Sequence, residues 1–315
     1  MKDVTSKPET LRTARATATI HCPEFCVPLL RERRTEKGDA LEAARVAGIM
    51  AAKRTPDLIP LCHPLPLLAV KVEFELQQAA VTVESEVQLI AATGAEMEAL
   101  TAVSVAGLTL YDMLKPHAGT DLSIDDVHLL EKRGGKSQYH RRIEPPIRAA
   151  VIVLSDTVAA GRKKDSAGAA VRAGLGQANV EVEGYDIIPD EADQLRVRVE
   201  EWLSQKVDLI VTVGGTGVGP RDRTVETIAP MLEREMPGIM EAARQYGQRR
   251  TPFAMLSRGV AGLIGETLVV TFPGSTRGAR ETLDALLVGV LHVFEVLRKV
   301  PHKHDYGAEK VTYLS

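Results

Sequence analysis

The stretch Leu209-Ile-Val-Thr-Val-Gly-Gly-Thr-Gly-Val-Gly-Pro220 decides how the second half of the chain folds. Its first five residues form a short β-branched run, which is typical of a strand buried on both faces of a parallel sheet. Similar runs occur at residues 151–154 and 267–272, and helical stretches at residues 191–205 and 281–298 alternate with them. The alternation predicts an α/β domain with a doubly wound, mostly parallel sheet.

The half of the chain before residue 145 has a different pattern. Residues 70–76 and 81–87 alternate apolar and polar side chains, as paired strands with one solvated face do. Residues 38–53 and 96–114 have helical composition. We therefore predict an α+β domain of ferredoxin-like type, in which helices cover one face of an antiparallel sheet.

A polar segment interrupted by Gly and Pro, residues 133–147, separates the two patterns. We predict a first domain over residues 1–143 and a second domain over residues 147–300. Residues 301–315 remain as a C-terminal tail, which we expect to be a mobile end or an interface strand.

The composition of the 315 residues excludes several classes of protein. The net charge is −3 and neither half has a basic excess, so we expect no nucleic-acid partner. The N-terminus has no apolar core, and the longest apolar stretch, residues 283–297, is interrupted by charges, so we expect a cytoplasmic protein without a membrane partner. Cys22 and Cys26, with His21, lack the second ligand pair of a structural zinc site, which favours ordinary structural roles.

The four residues after the first strand run, Gly214, Gly215, Thr216 and Gly217, are a candidate anion site. Glycines let the backbone approach a ligand closely, and successive N–H groups of such a loop bind anions. The alternative is a tight turn from strand to helix that binds nothing. Residues 273–276 follow another strand run and form a second loop able to hold an anion.

Two aspartates lie close to these strand ends in the sequence. Asp190 follows a strand-like run, and Asp222 lies between Arg221 and Arg223. Carboxylates beside a phosphate-binding loop are suitable ligands for Mg²⁺, and such a pair suggests metal-assisted phosphoryl or nucleotidyl transfer. The alternative for Asp222 is a helix N-cap.

The first half contains a proline-rich loop that suits acid/base chemistry. Three prolines within residues 60–66 hold Cys62 and His63 in a rigid, extended segment. A rigid mount keeps an imidazole aimed at its substrate, which favours a catalytic role for His63. The alternative is that His63 is a structural hydrogen-bonding residue.

Two further groups of charged residues lie on predicted helices. Glu96 and Glu98 open one helix, where carboxylates often only complement the helix dipole. Asp112 and Lys115 are three residues apart, on one helical face. They are either an ordinary surface pair or a proton-transfer pair in which the carboxylate tunes the lysine.

Six segments of the first half carry a family resemblance: residues 37–39 (Lys-Gly-Asp), 44–55, 58–65 (Leu-Ile-Pro-Leu-Cys-His-Pro-Leu), 94–104, 111–113 (Tyr-Asp-Met) and 129–137. Together they resemble the cyclic pyranopterin monophosphate synthase family of molybdenum-cofactor biosynthesis, from about residue 3 to about residue 141. The resemblance implies conversion of 3′,8-cyclo-7,8-dihydro-GTP to cyclic pyranopterin monophosphate with loss of pyrophosphate. It also implies no tightly bound cofactor, and a hexamer with sites between subunits.

The same resemblance implies roles for individual residues. Lys37, Asp112 and Lys115 would act in catalysis, with Lys115 as a general acid/base tuned by Asp112. His63 and Glu98 would line the same pocket and complete the catalytic set. Further contacts to the substrate and its triphosphate are implied for Arg12, Lys53, Cys62, Glu96, Met97 and Lys136.

Eight segments of the second half carry another resemblance: residues 154–156 (Leu-Ser-Asp), 165–168, 189–191, 214–217, 221–224 (Arg-Asp-Arg-Thr), 235–238, 256–258 and 273–275 (Pro-Gly-Ser). They resemble the molybdopterin adenylyltransferase and molybdopterin-binding family over residues 147–299. The implied reaction joins Mg-ATP and molybdopterin to give adenylylated molybdopterin and pyrophosphate, in a domain that tends to trimerise. Asp190 and Asp222 would be the catalytic and metal-associated carboxylates. Substrate contacts are implied for Ser155, Asp156, Asp165, Ser166, Gly214, Gly215, Thr216, Gly217, Arg221, Pro273, Gly274, Ser275 and Thr276.

The two resemblances belong to one pathway, so we expect a bifunctional enzyme that acts at an early and a late step. Hexameric and trimeric domains share a threefold axis, which makes a homo-oligomer, either a hexamer or an assembly based on trimers, the expected state. The main alternative is a synthase fused to a non-catalytic molybdopterin-binding or scaffold module. A nucleotide-binding regulator is less favoured because the sequence has no DNA-reading motif.

Overall fold

The computed structural model describes residues 1–135 and 143–299, which form two compact units. The predicted phosphate contact of Lys136 and the predicted tail at residues 301–315 lie outside the described residues. The first unit comprises residues 1–135, and the second unit comprises residues 143–299.

The first unit is built on a four-stranded antiparallel sheet. The strands lie in the order β2-β3-β1-β4, and β2 and β3 form a hairpin closed by the pair Leu76 and Val81. This order in a β-α-β-β-α-β succession is the ferredoxin-like arrangement, which confirms the predicted α+β fold. The elements are β1 (Thr10–His21), α1 (Cys26–Arg31), α2 (Ala40–Lys53), α3 (Thr55–Leu58), β2 (Leu67–Leu76), β3 (Ala80–Ala91), α4 (Glu96–Ala118) and β4 (Ser123–Arg133).

The core of the first unit lies between one face of the sheet and the helices α2 and α4. Ala16, Ala18 and Ile20 alternate along β1 and are completely buried, because every second side chain of a strand points to the same face. The helices α2 and α4 approach closely at Gly48, where an added Cβ would lie 2.9 Å from the carbonyl oxygen of Ala102. Small residues at this crossing therefore set the depth of the helical layer.

Helix α4, predicted from its composition, is long and apolar enough to cross a bilayer by length and composition alone. Half of its most apolar 18-residue stretch is buried inside the first unit. Val103, Ala106 and Leu110 belong to the core cluster of that unit. The apolar character of α4 is thus explained by packing against the sheet and α2.

The second unit contains a six-stranded mixed sheet in the order β6-β5-β7-β10-β9-β8. The four strands from β6 to β10 are parallel, as predicted, whereas β9 and β8 continue the sheet in antiparallel fashion. The elements are β5 (Ile147–Leu154), α5 (Asp156–Ala159), α6 (Ala167–Gln177), β6 (Val180–Ile188), α7 (Ala192–Ser204), β7 (Leu209–Val213), α8 (Thr224–Ile228), β8 (Arg234–Glu235), α9 (Pro237–Gln248), β9 (Ala261–Ile264), β10 (Thr267–Phe272) and α10 (Thr276–Leu297).

The strand order reverses between β5 and β7. The chain runs from β5 outward to β6, then returns to place β7 on the other side of β5. The loops that follow β5 and β7 therefore diverge at their carboxyl ends and leave a crevice, which is where ligands bind in sheets of this kind. This fold positions the candidate site of the second unit.

Candidate functional site

A cavity of about 680 Å³ lies at the carboxyl ends of the parallel strands of the second unit. Its volume is within the range of small-molecule sites, roughly 300–1,000 Å³. Most of the binding residues predicted for this half line it. They are Ser155, Asp165, Ser166, Asp190, Gly214, Gly215, Thr216, Gly217, Asp222, Pro273, Gly274, Ser275 and Thr276.

The glycine loop after β7 forms one wall of the cavity. Gly214 has φ of +117°, and an added Cβ would lie 2.3 Å from the carbonyl oxygen of Leu154. Thr224 fixes the loop, since its hydroxyl donates to the Gly214 carbonyl at 2.9 Å and its N–H donates to the Gly215 carbonyl at 3.1 Å. The loop is therefore a rigid backbone surface facing the cavity.

Asp190 is held at the cavity by a reciprocal pair of hydrogen bonds. Its carboxylate accepts from the N–H of Asp156 at 3.0 Å, and its own N–H donates to the Asp156 carboxylate at 3.1 Å. Burial raises the pKa of Asp190, and the nearby carboxylates of Asp156 and Asp222 raise it further. A cation beside Asp190 would offset that effect by favouring the charged form.

Two predicted binding residues, Asp156 and Arg221, are absent from the cavity lining among the described residues. The guanidinium of Arg221 pairs with the Asp156 carboxylate at 2.9 Å and with Glu191 at 2.9 Å. The hydrogen bonds from Arg221 and from the backbone N–H of Asp190 lower the pKa of Asp156 below its usual value. In this arrangement Asp156 and Arg221 position Asp190.

Asp222 is folded back onto its own loop. Its carboxylate accepts from the N–H of Gly219 at 2.8 Å. Helix α8 begins after Arg223, and no side chain caps its N-terminus, so the N-cap alternative for Asp222 is wrong. Its flanking Arg221 is committed to Asp156 and Glu191 instead.

Arg258 supports this loop, although the sequence analysis assigned it no role. It donates to the Gly217 carbonyl at 2.7 Å and to the Asp222 carbonyl at 2.9 Å. It also pairs with Glu226 on α8. The bonds span about forty positions in sequence, so only its place in a family motif, residues 256–258, could have pointed to it.

The donor set suits a magnesium ion that arrives with a nucleotide. Asp190 and Asp222 both line the cavity, and the charge of Asp222 raises the pKa of Asp190. Within residues 1–135 and 143–299, no three His, Cys, Asp or Glu side chains cluster as a preformed metal site. Magnesium commonly uses one or two carboxylates and takes its other ligands from phosphates and water, and this donor set fits that mode.

Two further lining residues, Asp165 and Ser275, have clear structural roles. Asp165 accepts from the N–H groups of Gly168 at 3.0 Å and Ala169 at 3.2 Å, at the start of α6. It also accepts from the Tyr185 hydroxyl, and burial together with this bond raises the pKa of Tyr185. Ser275 caps α10 by accepting from a backbone N–H three residues on.

Among the lining residues that the sequence analysis missed are three with positive charge, Lys163, Lys164 and Arg244, and the aromatic Phe253. The side chain of Phe253 is exposed, on the short turn at residues 252–256. Arg244 donates to the Gly259 carbonyl at 3.3 Å. None of these residues lies next to a glycine-rich loop in sequence, and only the fold brings them to the cavity.

In the first unit, Asp112 bridges two lysines. One carboxylate oxygen lies 2.7 Å from Lys37 Nζ, and the other lies 2.7 Å from Lys115 Nζ. The two ammonium groups lower the pKa of Asp112 to about 2. The same bond raises the pKa of Lys115, which favours the charged ammonium form.

A second group lies near the N-terminus of α4. Glu98 is buried, and burial raises its pKa, with Glu96 adding to the effect. Burial also raises the pKa of Cys62, and the neighbouring charge of Glu98 raises it further, which places this thiol near that carboxylate. Glu96 pairs with Lys132 at 3.4 Å.

The remaining predicted residues of the first unit are spread over several elements. His63 is half-buried next to Cys62 in the chain, and Met97 is exposed on α4. Arg12 donates to the carbonyls of Ala91 at 3.0 Å and Ala92 at 3.2 Å, just before α4. Lys53 is exposed at the end of α2.

The two groups lie at opposite ends of one helix. Glu98 and Asp112 are 14 residues apart on α4. A rise of 1.5 Å per residue separates them by about 21 Å along the helix axis. Within one chain the two groups therefore do not adjoin, and the expectation that they line one pocket stays a prediction tied to the expected assembly.

Both halves of the chain match known families. Residues 1–135 match the MoaC family, and residues 150–293 match a "probable molybdopterin binding domain". The chain is 43% identical to a molybdenum cofactor biosynthesis bifunctional protein of Chlorobaculum tepidum, over 96% of each chain. It is 37% identical to a protein of the same name from Synechococcus elongatus, over 96% of this chain and 98% of that one. It is also 50% identical to a cyclic pyranopterin monophosphate synthase of Thermomicrobium roseum, over 48% of this chain and 91% of that one.

Proposed function

The chain belongs to the family of bifunctional molybdenum cofactor biosynthesis proteins, and on that premise we propose that its two units catalyse an early and a late step of one pathway. The first unit converts 3′,8-cyclo-7,8-dihydro-GTP to cyclic pyranopterin monophosphate and pyrophosphate. The second unit transfers the adenylyl group of ATP to molybdopterin. The intermediate steps need other enzymes, so no direct transfer of product between the units is implied.

The cluster of Asp112 with Lys37 and Lys115 is the observation that supports the first activity. Ring rearrangement requires proton transfers at defined atoms, and a charged lysine fixed by a carboxylate is a suitable general acid. Lys37 would donate to the substrate or bind its phosphate, where cations stabilise the charge of the leaving pyrophosphate. The buried acid Glu98 would serve the same reaction from a second copy of the chain.

A pyrophosphate-release assay tests the first activity. We expect Lys115→Ala and Lys37→Ala to lower turnover of the cyclised dihydro-GTP by about 100-fold or more. Lys71→Ala is the matched control, since Lys71 forms an ion pair of the same length with Glu73 on β2. Turnover near the wild-type rate in either test variant would overturn the assignment.

The cavity of the second unit supports adenylyl transfer. The terminal phosphate of molybdopterin would bind the glycine loop, with Ser275 and Thr276 on the facing loop. An oxygen of that phosphate attacks the α-phosphorus of ATP, a new P–O–P bond forms, and the bond to the β-phosphate breaks to release pyrophosphate. Asp190 and Asp222 would hold the Mg²⁺ that arrives with ATP and neutralises its phosphates.

The test of the second activity is anaerobic incubation of the full chain with molybdopterin and Mg-ATP. Mass spectrometry detects adenylylated molybdopterin, and we expect Asp222→Ala to lower its formation by about 100-fold or more. Asp193→Ala is the control, because Asp193 is an exposed carboxylate in the first turn of α7. Binding of molybdopterin without product in the wild type would support the alternative, a binding or scaffold module.

A further inference from the structure

The loop between α5 and α6 brings two lysines to the cavity of the second unit. Lys163 and Lys164 both line it. The loop is fixed just before them, since the N–H groups of Arg162 and Lys163 donate to the Thr157 carbonyl at 2.9 and 3.2 Å. It is fixed just after them by Asp165, which accepts from the first N–H groups of α6. The backbone thus holds both lysines at the rim of the cavity.

Among the charged side chains that line the cavity, these two lysines are the cations that can contact a bound anion. The only other lining cation among the described residues is Arg244, which donates to the Gly259 carbonyl. Arg221 is engaged by Asp156 and Glu191 outside the lining. Four carboxylates line the cavity, and they would repel a polyphosphate that had no cation beside it: Asp165, Asp190, Asp222 and Glu281.

We propose that Lys163 and Lys164 bind the β- and γ-phosphates of ATP and stabilise the pyrophosphate that leaves. This inference rests on the proposed adenylyl transfer. Negative charge develops on the leaving group as the bond between the α- and β-phosphates breaks, and fixed cations act most strongly where charge develops. The glycine loop and residues 273–276 supply N–H and hydroxyl donors but no positive side chain.

Binding measurements on the full chain test the proposal. The ligands are Mg-ATP, AMP and molybdopterin, and the double variant is Lys163→Gln with Lys164→Gln. We expect its Kd for Mg-ATP to rise about tenfold or more, the size expected for losing one charge-assisted hydrogen bond. Its Kd for AMP and for molybdopterin should stay within about twofold of the wild type, a margin well below the loss of one such bond.

Arg162→Gln is the matched control, because it removes a cation from the same loop at a position that does not line the cavity. Its Kd for Mg-ATP should not change. Both lysines are exposed, and melting curves should show that the double variant folds as the wild type does.

Three outcomes would overturn the proposal. These are an unchanged Kd for Mg-ATP, an equal weakening of Mg-ATP and AMP, and a weakening of molybdopterin in place of Mg-ATP. The last outcome would place the lysines at the pterin phosphate. Failure of the wild type itself to bind Mg-ATP would instead overturn the proposed adenylyl transfer, so the two failures are distinct.

Discussion

Burial couples the protonation of Glu98 to folding, whereas an exposed glutamate at the start of a helix lacks this coupling. Its folded-state pKa is raised, so folding favours the protonated form. Stability from that proton is present below the unfolded pKa and is lost as the pH rises through the folded pKa. We therefore expect Glu98→Gln to melt at a higher temperature than the wild type at pH 8, with the difference shrinking toward pH 4.

Thermal unfolding followed by circular dichroism across this pH range checks the prediction for Glu98. Glu73→Gln is the control, because Glu73 is exposed and paired with Lys71, and exposed pairs contribute little stability. Equal pH dependence in wild type and Glu98→Gln would show that this carboxyl does not limit stability. A variant that is more stable but less active would show that the buried acid is kept for catalysis.

The backbone at Gly214 requires glycine for two reasons. Its φ of +117° is strained for any side chain, and an added Cβ would meet the Leu154 carbonyl. We expect Gly214→Ala to cost roughly 1–3 kcal/mol in the free energy of unfolding of the second unit. Urea denaturation measures this cost.

Gly176→Ala is the control for Gly214→Ala. Gly176 lies in α6, and an added Cβ would meet nothing within 4 Å. This substitution should stabilise the helix by about 0.5–1 kcal/mol. A Gly214→Ala protein as stable as the wild type would mean that the loop adopts another conformation.

At the scale of elements, composition predicted the helices, and short β-branched runs predicted the central strands of the second unit. The helix predicted at 38–53 is α2 at Ala40–Lys53, and the one predicted at 96–114 is α4 at Glu96–Ala118. Strand β1 was not predicted, because its buried face consists mainly of alanine. Alanine and threonine differ little in hydrophobicity, so their alternation does not stand out as a strand pattern. The antiparallel strands β8 and β9 are short, at two and four residues, and below the length at which periodicity can be read.

Candidate site residues, too, were predictable where a local sequence pattern located them and were missed where only the fold brings them together. Loops that directly follow predicted strands, such as residues 214–217, were found because sheet topology places them together. The family resemblance implied catalytic roles for Lys37 and Asp112, but their pairing spans 75 positions and is seen only in the fold. Lys163 and Lys164 were missed because a lysine pair in a polar loop reads as solvated surface until the fold places it at a cavity.

The crossing of α2 and α4 depends on the absence of a side chain at Gly48. Its added Cβ would lie 2.9 Å from the Ala102 carbonyl and 3.2 Å from the Ala106 Cβ. We expect Gly48→Leu to cost about 1–3 kcal/mol, because overpacking forces the helices apart. Val46→Leu on the exposed side of α2 should change stability by less than about 0.5 kcal/mol. Equal denaturation midpoints for the two variants would contradict a close crossing.

At the scale of the whole molecule, each unit has hydrophobic core clusters of its own, so we expect the two proposed activities to be separable. We expect Asp112→Asn to abolish pyrophosphate release from the cyclised dihydro-GTP and to leave adenylyl transfer within about twofold of the wild type, because substitutions far apart act independently. Asp222→Ala should have the opposite effect. Both activities are assayed on the full chain, and a variant that lowers both would reveal coupling between the units.

Glu98 and Asp112 are 14 residues apart on α4, and we therefore predict that the first unit's site forms between two copies of the chain. In this arrangement each site takes Glu98 from one copy and Asp112 from another. A protein made only of Glu98→Gln chains, or only of Asp112→Asn chains, should therefore not turn over the substrate. Co-expression of the two variants should restore roughly a quarter of the wild-type turnover. Random pairing makes half of the pairs mixed, and a mixed pair contains one intact site of its two, as symmetric interfaces require.

The complementation experiment needs differently tagged copies so that mixed pairs can be isolated before the assay. Glu73→Gln co-expressed with Asp112→Asn is the control, since Glu73 is an exposed surface residue and this mixture should show about half the wild-type turnover. Isolated mixed Glu98→Gln and Asp112→Asn pairs without activity would show that both groups must belong to the same chain. Within one chain about 21 Å of helix separates the two groups, so they could not both act on the same atoms of the substrate. One of the two would then have to support the activity from a distance.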